Sequence, residues 1–257
     1  MQRSRSRRTA LRTSRLHEKV VVVTGASSGV GRAIARAAGA NGARVALIAR
    51  GERGLDAVAA EVDRLGGESL VLPLDVADAS EVDRASDQIV AKWGGVDVWV
   101  NNAIVTVYSP ISRMTPEEYR RVIEVDYLGT VHGTLAALRH MRPVDAGSIV
   151  QIGSVLGYRS SPRLSAYCAS KAAVRGFTDS VRSELLHEGS HVKVTMLQLP
   201  GEGTPRLLPP VEQPNVVAEA VLYAIEHRPE ELWVGWSTIE KIVGEFHLPR
   251  TLEAWSP

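Results

Sequence analysis

From Lys19 onward, short runs of β-branched residues alternate with alanine-rich stretches of helical composition. The first run, Val20 to Thr24, is followed by glycines and then by a helical stretch from Arg32 to Asn41. Because neighbouring parallel strands need a crossover, usually a helix, this alternation predicts βαβ units around a parallel sheet. A chain of 257 residues with 44% hydrophobic residues can bury one such core. We therefore expect a single-domain, doubly wound α/β fold of about seven strands, with helices on both faces.

The same pattern places the other elements along the chain. Further strands are predicted at Arg44 to Ala49, Ser69 to Leu74, Val96 to Val100, Ser148 to Ile152, Val192 to Leu197 and Leu232 to Val234. Helices are predicted at Leu55 to Leu65, Ser80 to Trp93, Thr115 to His140, Arg163 to His187 and Val216 to Glu226. Five prolines and two glycines between Pro200 and Pro214 favour a loop there.

The first residues of the chain carry a concentrated positive charge. Residues 1–19 hold seven basic residues against one acidic residue, a net charge of +6, whereas the whole chain carries +1. This arm lacks both interleaved aromatic residues and the apolar core of a signal peptide. We expect residues 1–17 to be a disordered extension without a nucleic-acid partner, and residues 18–257 to form the folded domain. No run of eighteen apolar residues occurs, so no membrane-spanning helix is expected.

Cysteine and histidine usage constrains the compartment and the metal chemistry. Cys168 is the single cysteine and cannot form an internal disulfide, which fits a reducing cytoplasm. The seven histidines show no HExxH or comparable spacing. We expect a cytoplasmic protein without a bound metal.

A glycine-rich turn, TGASSGVG, joins the first predicted strand to the first helix. A dinucleotide pyrophosphate needs main-chain N–H groups at a helix N-terminus, and the absence of a Cβ lets the ligand approach. The spacing is GxxxGxG and not the commoner GxGxxG. The alternative is that these glycines only permit a tight turn. The predicted phosphate-binding residues are Gly25, Ser27, Ser28, Gly29, Val30 and Gly31.

The end of the second strand bears on the choice of cofactor. An acidic residue there typically binds the ribose 2′-hydroxyl of NAD, whereas the 2′-phosphate of NADP needs a cation. The strand ends at Arg50, and no acidic residue occurs before Glu52. This favours NADP(H), with NAD(H) as the alternative; an ordinary solvated charge is the other interpretation of Arg50.

Three polar residues form a candidate catalytic set. Tyr167 and Lys171 are four residues apart, so a helix places them on one face. Ser154 follows the predicted strand that ends at Ile152, at the edge of the sheet where such folds bind ligands. A core tyrosine and a surface lysine are the alternative interpretation.

The ordered set of TGASSGVG, NNA at residues 101–103, Ser154 and YxxxK resembles the short-chain dehydrogenase/reductase family over roughly residues 18–235. The resemblance implies a Rossmann-like fold and hydride transfer between nicotinamide and the carbon of an alcohol or ketone. It implies that Tyr167 is the general acid or base and that Ser154 holds the substrate oxygen. It also implies that Lys171 binds the nicotinamide ribose and lowers the pKa of the tyrosine.

The resemblance implies further cofactor contacts. It implies that Asp75 and Val76 contact the adenine and that Asn101, Asn102 and Ala103 line the cofactor cleft. It also implies that Pro200, Gly201 and Thr204 lie beside the nicotinamide amide. A strand-end cap for Asp75 and turn formation by Pro200 and Gly201 are the alternatives.

Two positions depart from the family pattern. Asp126 stands where the family usually has a catalytic asparagine, whose main-chain carbonyl helps to hold a water leading protons to the lysine. We expect an ionised Asp126 to pair with Lys171 and to raise the tyrosine pKa, which would reduce turnover or raise the pH optimum. Ile104 replaces a common glycine, so a branched side chain is expected near the cofactor ribose. The loop after Pro200 is also atypical at Gly203.

Substrate and assembly are less constrained. Trp233, Trp236, Phe246 and Trp255 lie near the C-terminus, in the segment 227–257, where they would line a lipophilic substrate site, form a subunit contact or pack the last strand. The family resemblance implies a homodimer or homotetramer formed through the two long helices. Two other functions stay open: an NADP-binding regulatory or scaffold protein whose catalysis is weakened by Asp126, and a nucleic-acid binder acting through the basic arm.

Overall fold

The computed structural model describes residues 16–200 and 213–235. Within these ranges seven parallel strands form one sheet in the order β3-β2-β1-β4-β5-β6-β7. The strands are β1 Val20–Thr24, β2 Arg44–Ala49, β3 Glu68–Pro73, β4 Val98–Asn101, β5 Ser148–Ser154, β6 Lys193–Leu199 and β7 Glu231–Trp233. The predicted doubly wound, Rossmann-like sheet is confirmed.

Helices cover both faces of this sheet. They are α1 Gly29–Ala40, α2 Glu52–Arg64, α3 Ala79–Trp93, α4 Pro116–Val122, α5 Gly129–Met141, α6 Ser165–His187 and α7 Pro214–His227, with short 3₁₀ turns at Ile111–Arg113, Arg142–Val144 and Val155–Gly157. No helix of residues 16–200 or 213–235 is both long enough and apolar enough to cross a membrane.

The valines of β1 show why its sequence is a continuous apolar run. Val21 and Val23 belong to a core formed with α1, α2 and α7, whereas Val20 and Val22 belong to a second core with α3, α5 and α6. Successive side chains of a strand point to opposite faces, so a strand covered on both faces must be apolar throughout.

Two predicted helices differ in detail from the structure. The stretch predicted as one helix from Thr115 to His140 contains a π-helical segment at Ile123–Leu128 between α4 and α5. A capping box formed by Thr115 and Glu118 starts α4. Helix α6 begins at Ser165 and not at Arg163, because Arg163 has a φ of 65°, which is incompatible with a right-handed helix.

Candidate active site

A cleft of about 760 Å³ lies at the carboxyl edge of the sheet. Residues that end or follow β1 to β6 line it, and it includes the point between β1 and β4 where the strand order reverses. Ligands of open parallel sheets bind at this switch point. A larger cavity of about 1140 Å³ lies at the opposite edge, lined by residues such as Lys19, Arg44 and Ser148, and holds none of the predicted site residues.

Most of the residues singled out from the sequence meet in the carboxyl-edge cleft. Those lining it are Gly25, Ser27, Ser28, Gly29, Val30, Gly31, Arg50, Asp75, Val76, Asn102, Ala103, Ser154, Tyr167 and Lys171. Pro200 is buried just beyond β6, next to the cleft residue Leu199. Gly201 and Thr204, together with Gly203, Trp236, Phe246 and Trp255, lie outside the described residues.

The glycine turn packs closely against the segment after β4. Gly25 has a φ of 67°, and a Cβ there would lie 2.8 Å from the Cα of Ala103. A Cβ on Gly31 would strike the carbonyl oxygen of Gly25. By contrast, a Cβ on Gly29 would meet nothing within 4 Å. Gly25 and Gly31 are therefore required for close packing, as expected if the glycines serve a tight turn. The turn also leaves the N-terminus of α1 open, with no acidic residue in its first turn.

Two charged groups mark the other end of the cleft. Arg50 is exposed, and within the described ranges its guanidinium makes no ion pair or hydrogen bond. Asp75 is held in place, because Nη2 of Arg121 lies 2.6 Å from its Oδ2 and the N–H of Ala77 donates to its Oδ1. Sequence reasoning missed Arg121, since only the tertiary fold brings α4 against the end of β3.

The asparagine pair after β4 divides between the cleft and the core. Nδ2 of Asn102 donates to the carbonyl of Thr24 at 2.9 Å, which ties the cleft wall to the glycine turn. Asn101 is buried: its Nδ2 donates to Oε1 of Gln151 and its Oδ1 accepts from Nε1 of Trp99. Asn101 thus supports the cleft from behind and does not line it, contrary to the expectation from the NNA motif.

The candidate catalytic side chains come from β5 and α6. Ser154 is buried at the end of β5, and its Oγ accepts from the N–H of Leu156 at 3.2 Å. Nζ of Lys171 lies 5.6 Å from the ring centroid of Tyr167 and donates to the carbonyl of Ile152 at 2.8 Å. Burial lowers the pKa of the Lys171 ammonium, and the charge of Asp126 opposes this change.

Gly157, which sequence reasoning missed, allows α6 to approach β5 at this point. A Cβ at Gly157 would lie 2.9 Å from the carbonyl oxygen of Lys171. The only indication in the sequence is that this glycine follows the strand-end serine. Its small size lets the turn after Ser154 pack against the helix that carries Tyr167 and Lys171.

Asp126 lies behind the cleft, fully buried in the π-helical segment. Its Oδ1 accepts from the N–H of Val105 at 2.8 Å, and its Oδ2 lies 3.0 Å from Oγ of Ser170. It forms no direct ion pair with Lys171, whose ammonium turns to the carbonyl of Ile152. The expected direct ion pair is therefore not formed: the fold gives Asp126 two neutral hydrogen-bonding partners and gives Lys171 another. Burial raises the pKa of the Asp126 carboxyl, while the charge of Lys171 acts in the opposite direction.

Ile104 lines the cleft and is 45% exposed. It is not among the residues with positive φ, so a branched side chain is accommodated without backbone strain at this position. The replacement of glycine thus alters the shape of the cleft wall and not the path of the chain.

The profile of the short chain dehydrogenase family matches residues 19–208. The chain belongs to the short-chain dehydrogenase family. Relatives of this short-chain dehydrogenase include an uncharacterized oxidoreductase, YxnA, of Bacillus subtilis, 32% identical over 244 residues that cover 89% of this chain and 68% of the relative. A fatty acyl-CoA reductase of Acinetobacter baylyi is 33% identical over 223 residues, covering 83% of this chain and 75% of that protein.

Solved structures agree with the family assignment. A metagenomic short-chain oxidoreductase in complex with NADP superimposes with a TM-score of 0.75 at 32% identity, covering 85% of this chain and 97% of that one. This short-chain dehydrogenase is therefore an oxidoreductase with a Rossmann-like fold.

Proposed function

We propose that this short-chain dehydrogenase transfers a hydride between NADP(H) and the carbon of a small-molecule alcohol or ketone, with Tyr167 as general acid or base. The observation that carries the proposal is that Ser154, Tyr167 and Lys171 line one cleft together with the glycine turn. The NADP found in the related metagenomic oxidoreductase supports the choice of cofactor.

The residues of the cleft fit a phosphorylated dinucleotide. The open N-terminus of α1 offers main-chain N–H groups to a pyrophosphate. Arg50, exposed at the end of β2, offers planar donors to a 2′-phosphate, which favours NADP(H) over NAD(H). Asp75 and Val76 would contact the adenine, Asn102 and Ala103 would form the wall of the cleft, and Pro200, Gly201 and Thr204 would lie near the nicotinamide.

The side chains divide the chemistry at the substrate oxygen. Bound nicotinamide would supply or accept the hydride. The hydroxyl of Ser154 would hold the substrate oxygen, and the hydroxyl of Tyr167 would give a proton to it or take one from it. Lys171 would favour the ionised phenol by its charge. The main-chain carbonyl of Asp126 accepts from Oγ1 of Thr130 at 2.8 Å, and its second lone pair would serve the proton relay to Lys171.

Substrate class and assembly follow from the same site and its helices. The relative named fatty acyl-CoA reductase supports a carbonyl substrate with a lipophilic part. Helices α4 to α6 would form a homodimer or homotetramer, since Leu128 and Leu135 are exposed on that stretch although both are apolar.

The test is a panel of ketones, aldehydes and steroid-like alcohols assayed with NADPH and with NADH. Tyr167→Phe should lower kcat by about 10² to 10⁴ while NADPH binding is retained. Tyr223→Phe, which changes an exposed tyrosine of α7 away from the cleft, is the matched control. NADPH binding without turnover of any substrate would favour the scaffold function, and unchanged turnover in Tyr167→Phe would remove the catalytic role of this residue.

A further inference from the structure

Asp126 is the only acidic side chain among the buried residues of the described ranges. Its carboxyl group has two hydrogen-bonding neighbours, the N–H of Val105 on Oδ1 and the hydroxyl of Ser170 beside Oδ2. Neither neighbour is charged. A buried carboxylate without a directly paired cation is unfavourable, because its charge loses the solvation of water.

The hydroxyl of Ser170 has more acceptors than it has hydrogens to donate. Its Oγ lies 3.0 Å from Oδ2 of Asp126 and 2.8 Å from the main-chain carbonyl of Tyr167. A carbonyl oxygen and a carboxylate oxygen both accept only, whereas a serine hydroxyl carries one hydrogen. An ionised Asp126 would therefore compete with Tyr167 for that hydrogen.

We propose that Asp126 is protonated on Oδ2 in the folded protein and donates to Ser170, which in turn donates to the carbonyl of Tyr167. All three contacts are then satisfied, since Oδ1 still accepts from Val105. A protonated carboxyl resembles the asparagine amide that the family usually carries here, because both are planar and neutral, with one oxygen that accepts and a second group that donates; the acid donates one hydrogen and the amide two. Asp126 is then a positioning residue for the helical turn that carries Tyr167, and this role rests on the proposed function.

The electrostatic surroundings agree with a neutral acid. The segment Ile123–Leu128 packs against α4, α5 and α6. Among the charged side chains of those helices in the described part of the chain, Lys171 is the one that acts on Asp126. Burial nevertheless dominates and raises the pKa of this carboxyl. The ammonium of Lys171 keeps its own hydrogen bond to Ile152 and does not depend on a carboxylate partner.

Infrared spectroscopy of the full chain at neutral pH tests the proposal directly. The C=O stretch of a protonated carboxylic acid is separate from the carboxylate bands, so the wild type should show one such band. The band should vanish in Asp126→Asn, stay in Asp179→Asn, whose carboxylate is exposed and paired with Arg182, and shift in Ser170→Ala. If Asp126→Asn does not fold, ¹³C-labelled aspartate in the wild type and in Ser170→Ala assigns the band. No band in the wild type, or a band that survives Asp126→Asn, would overturn the proposal.

Proton linkage gives an independent measurement. A native pKa raised above the unfolded value of about 3.9 confers stability that is complete below that value and is lost as the pH rises toward the native pKa. Relative to Asp126→Asn, the unfolding equilibrium constant of the wild type should therefore rise about tenfold per pH unit between about pH 5 and about pH 7. A constant ratio would show that the carboxyl is ionised. Both measurements are made without substrate or coenzyme, so failure of the proposed function, seen as a lack of NADPH binding, is a separate outcome.

Discussion

The ammonium of Lys171 donates a hydrogen bond of 2.8 Å to the main-chain carbonyl of Ile152. This bond joins the helix that carries Tyr167 to the strand that ends at Ser154, two residues beyond Ile152. The side chain is fully buried at the back of the cleft, and burial lowers its pKa. Lys171 therefore holds the helix of Tyr167 against the strand of Ser154, although its buried ammonium group loses the solvation of water.

Replacement of Lys171 by methionine should separate catalysis from stability. We expect kcat/KM to fall by about 10² to 10⁴, because the charge that favours an ionised phenol is lost. Since the native pKa of Lys171 is lowered, the unfolded chain binds more protons between that native pKa and about pH 10.4, and wild-type stability rises with pH in that window. In urea denaturation, the wild type should thus gain stability relative to Lys171→Met as the pH rises toward about 10.4. If the difference in free energy of unfolding between the wild type and Lys171→Met did not change with pH, the lowered pKa of Lys171 would be contradicted.

Arg50 should control the preference between the two nicotinamide coenzymes. Loss of a charge-assisted hydrogen bond costs about 1.5 to 3 kcal/mol, so Arg50→Ala should raise KM for NADPH by at least about tenfold. KM for NADH should change by no more than about twofold, because NADH has no 2′-phosphate. Arg64→Ala, at the other end of α2, is the control in steady-state assays. Equal losses with both coenzymes would mean that Arg50 does not meet the phosphate.

The glycine turn should be intolerant of a single methyl group at Gly31. A Cβ there would strike the carbonyl oxygen of Gly25 and lie 2.6 Å from Nδ2 of Asn102. We expect Gly31→Ala to lower the free energy of unfolding by about 1 to 3 kcal/mol and to weaken NADPH binding. Gly95→Ala is the matched control, since a Cβ at Gly95 would meet nothing within 4 Å and its φ is not positive. Chemical denaturation and a fluorescence titration measure the two effects, and equal behaviour of the variants would refute the steric argument.

A surface carboxylate should make stability depend on acid pH. Asp145 accepts hydrogen bonds from Nδ1 of His191 at 2.6 Å and from Oγ of Ser190 at 2.9 Å, and these hold its pKa at about 2. Because the native pKa is below the unfolded value of about 3.9, the stabilisation is complete above that value and is lost as the pH falls toward the native pKa. We expect Asp145→Asn to lower Tm at neutral pH, by an amount that shrinks below about pH 4. A Tm difference that is independent of pH would assign the effect to packing.

Local patterns in the sequence were sufficient for the elements and for most of the cleft. The apolar runs that end at Thr24, Ala49 and Ile152 could be located because glycine or polar residues follow them. In a parallel sheet all carboxyl ends lie at one edge, so residues far apart in the chain could be expected in one cleft. The two-residue extension of β5 and the later start of α6 were not predictable, because they depend on pairing with β6 and on the left-handed φ of Arg163.

Contacts between side chains from distant elements could not be derived in the same way. A YxxxK spacing places Tyr167 and Lys171 on one helical face, but the partner of each polar atom depends on where α6 lies relative to β5 and to the segment Ile123–Leu128. The sequence alone suggested that Asp126 would meet Lys171; the fold gives it Val105 and Ser170 instead. The order of the elements and the membership of the cleft were thus determined by the sequence, because hydrophobic periodicity and turn residues act locally. The burial and the hydrogen-bond partners of the polar groups were decided only by the tertiary structure, because they depend on distances between segments that no local pattern encodes.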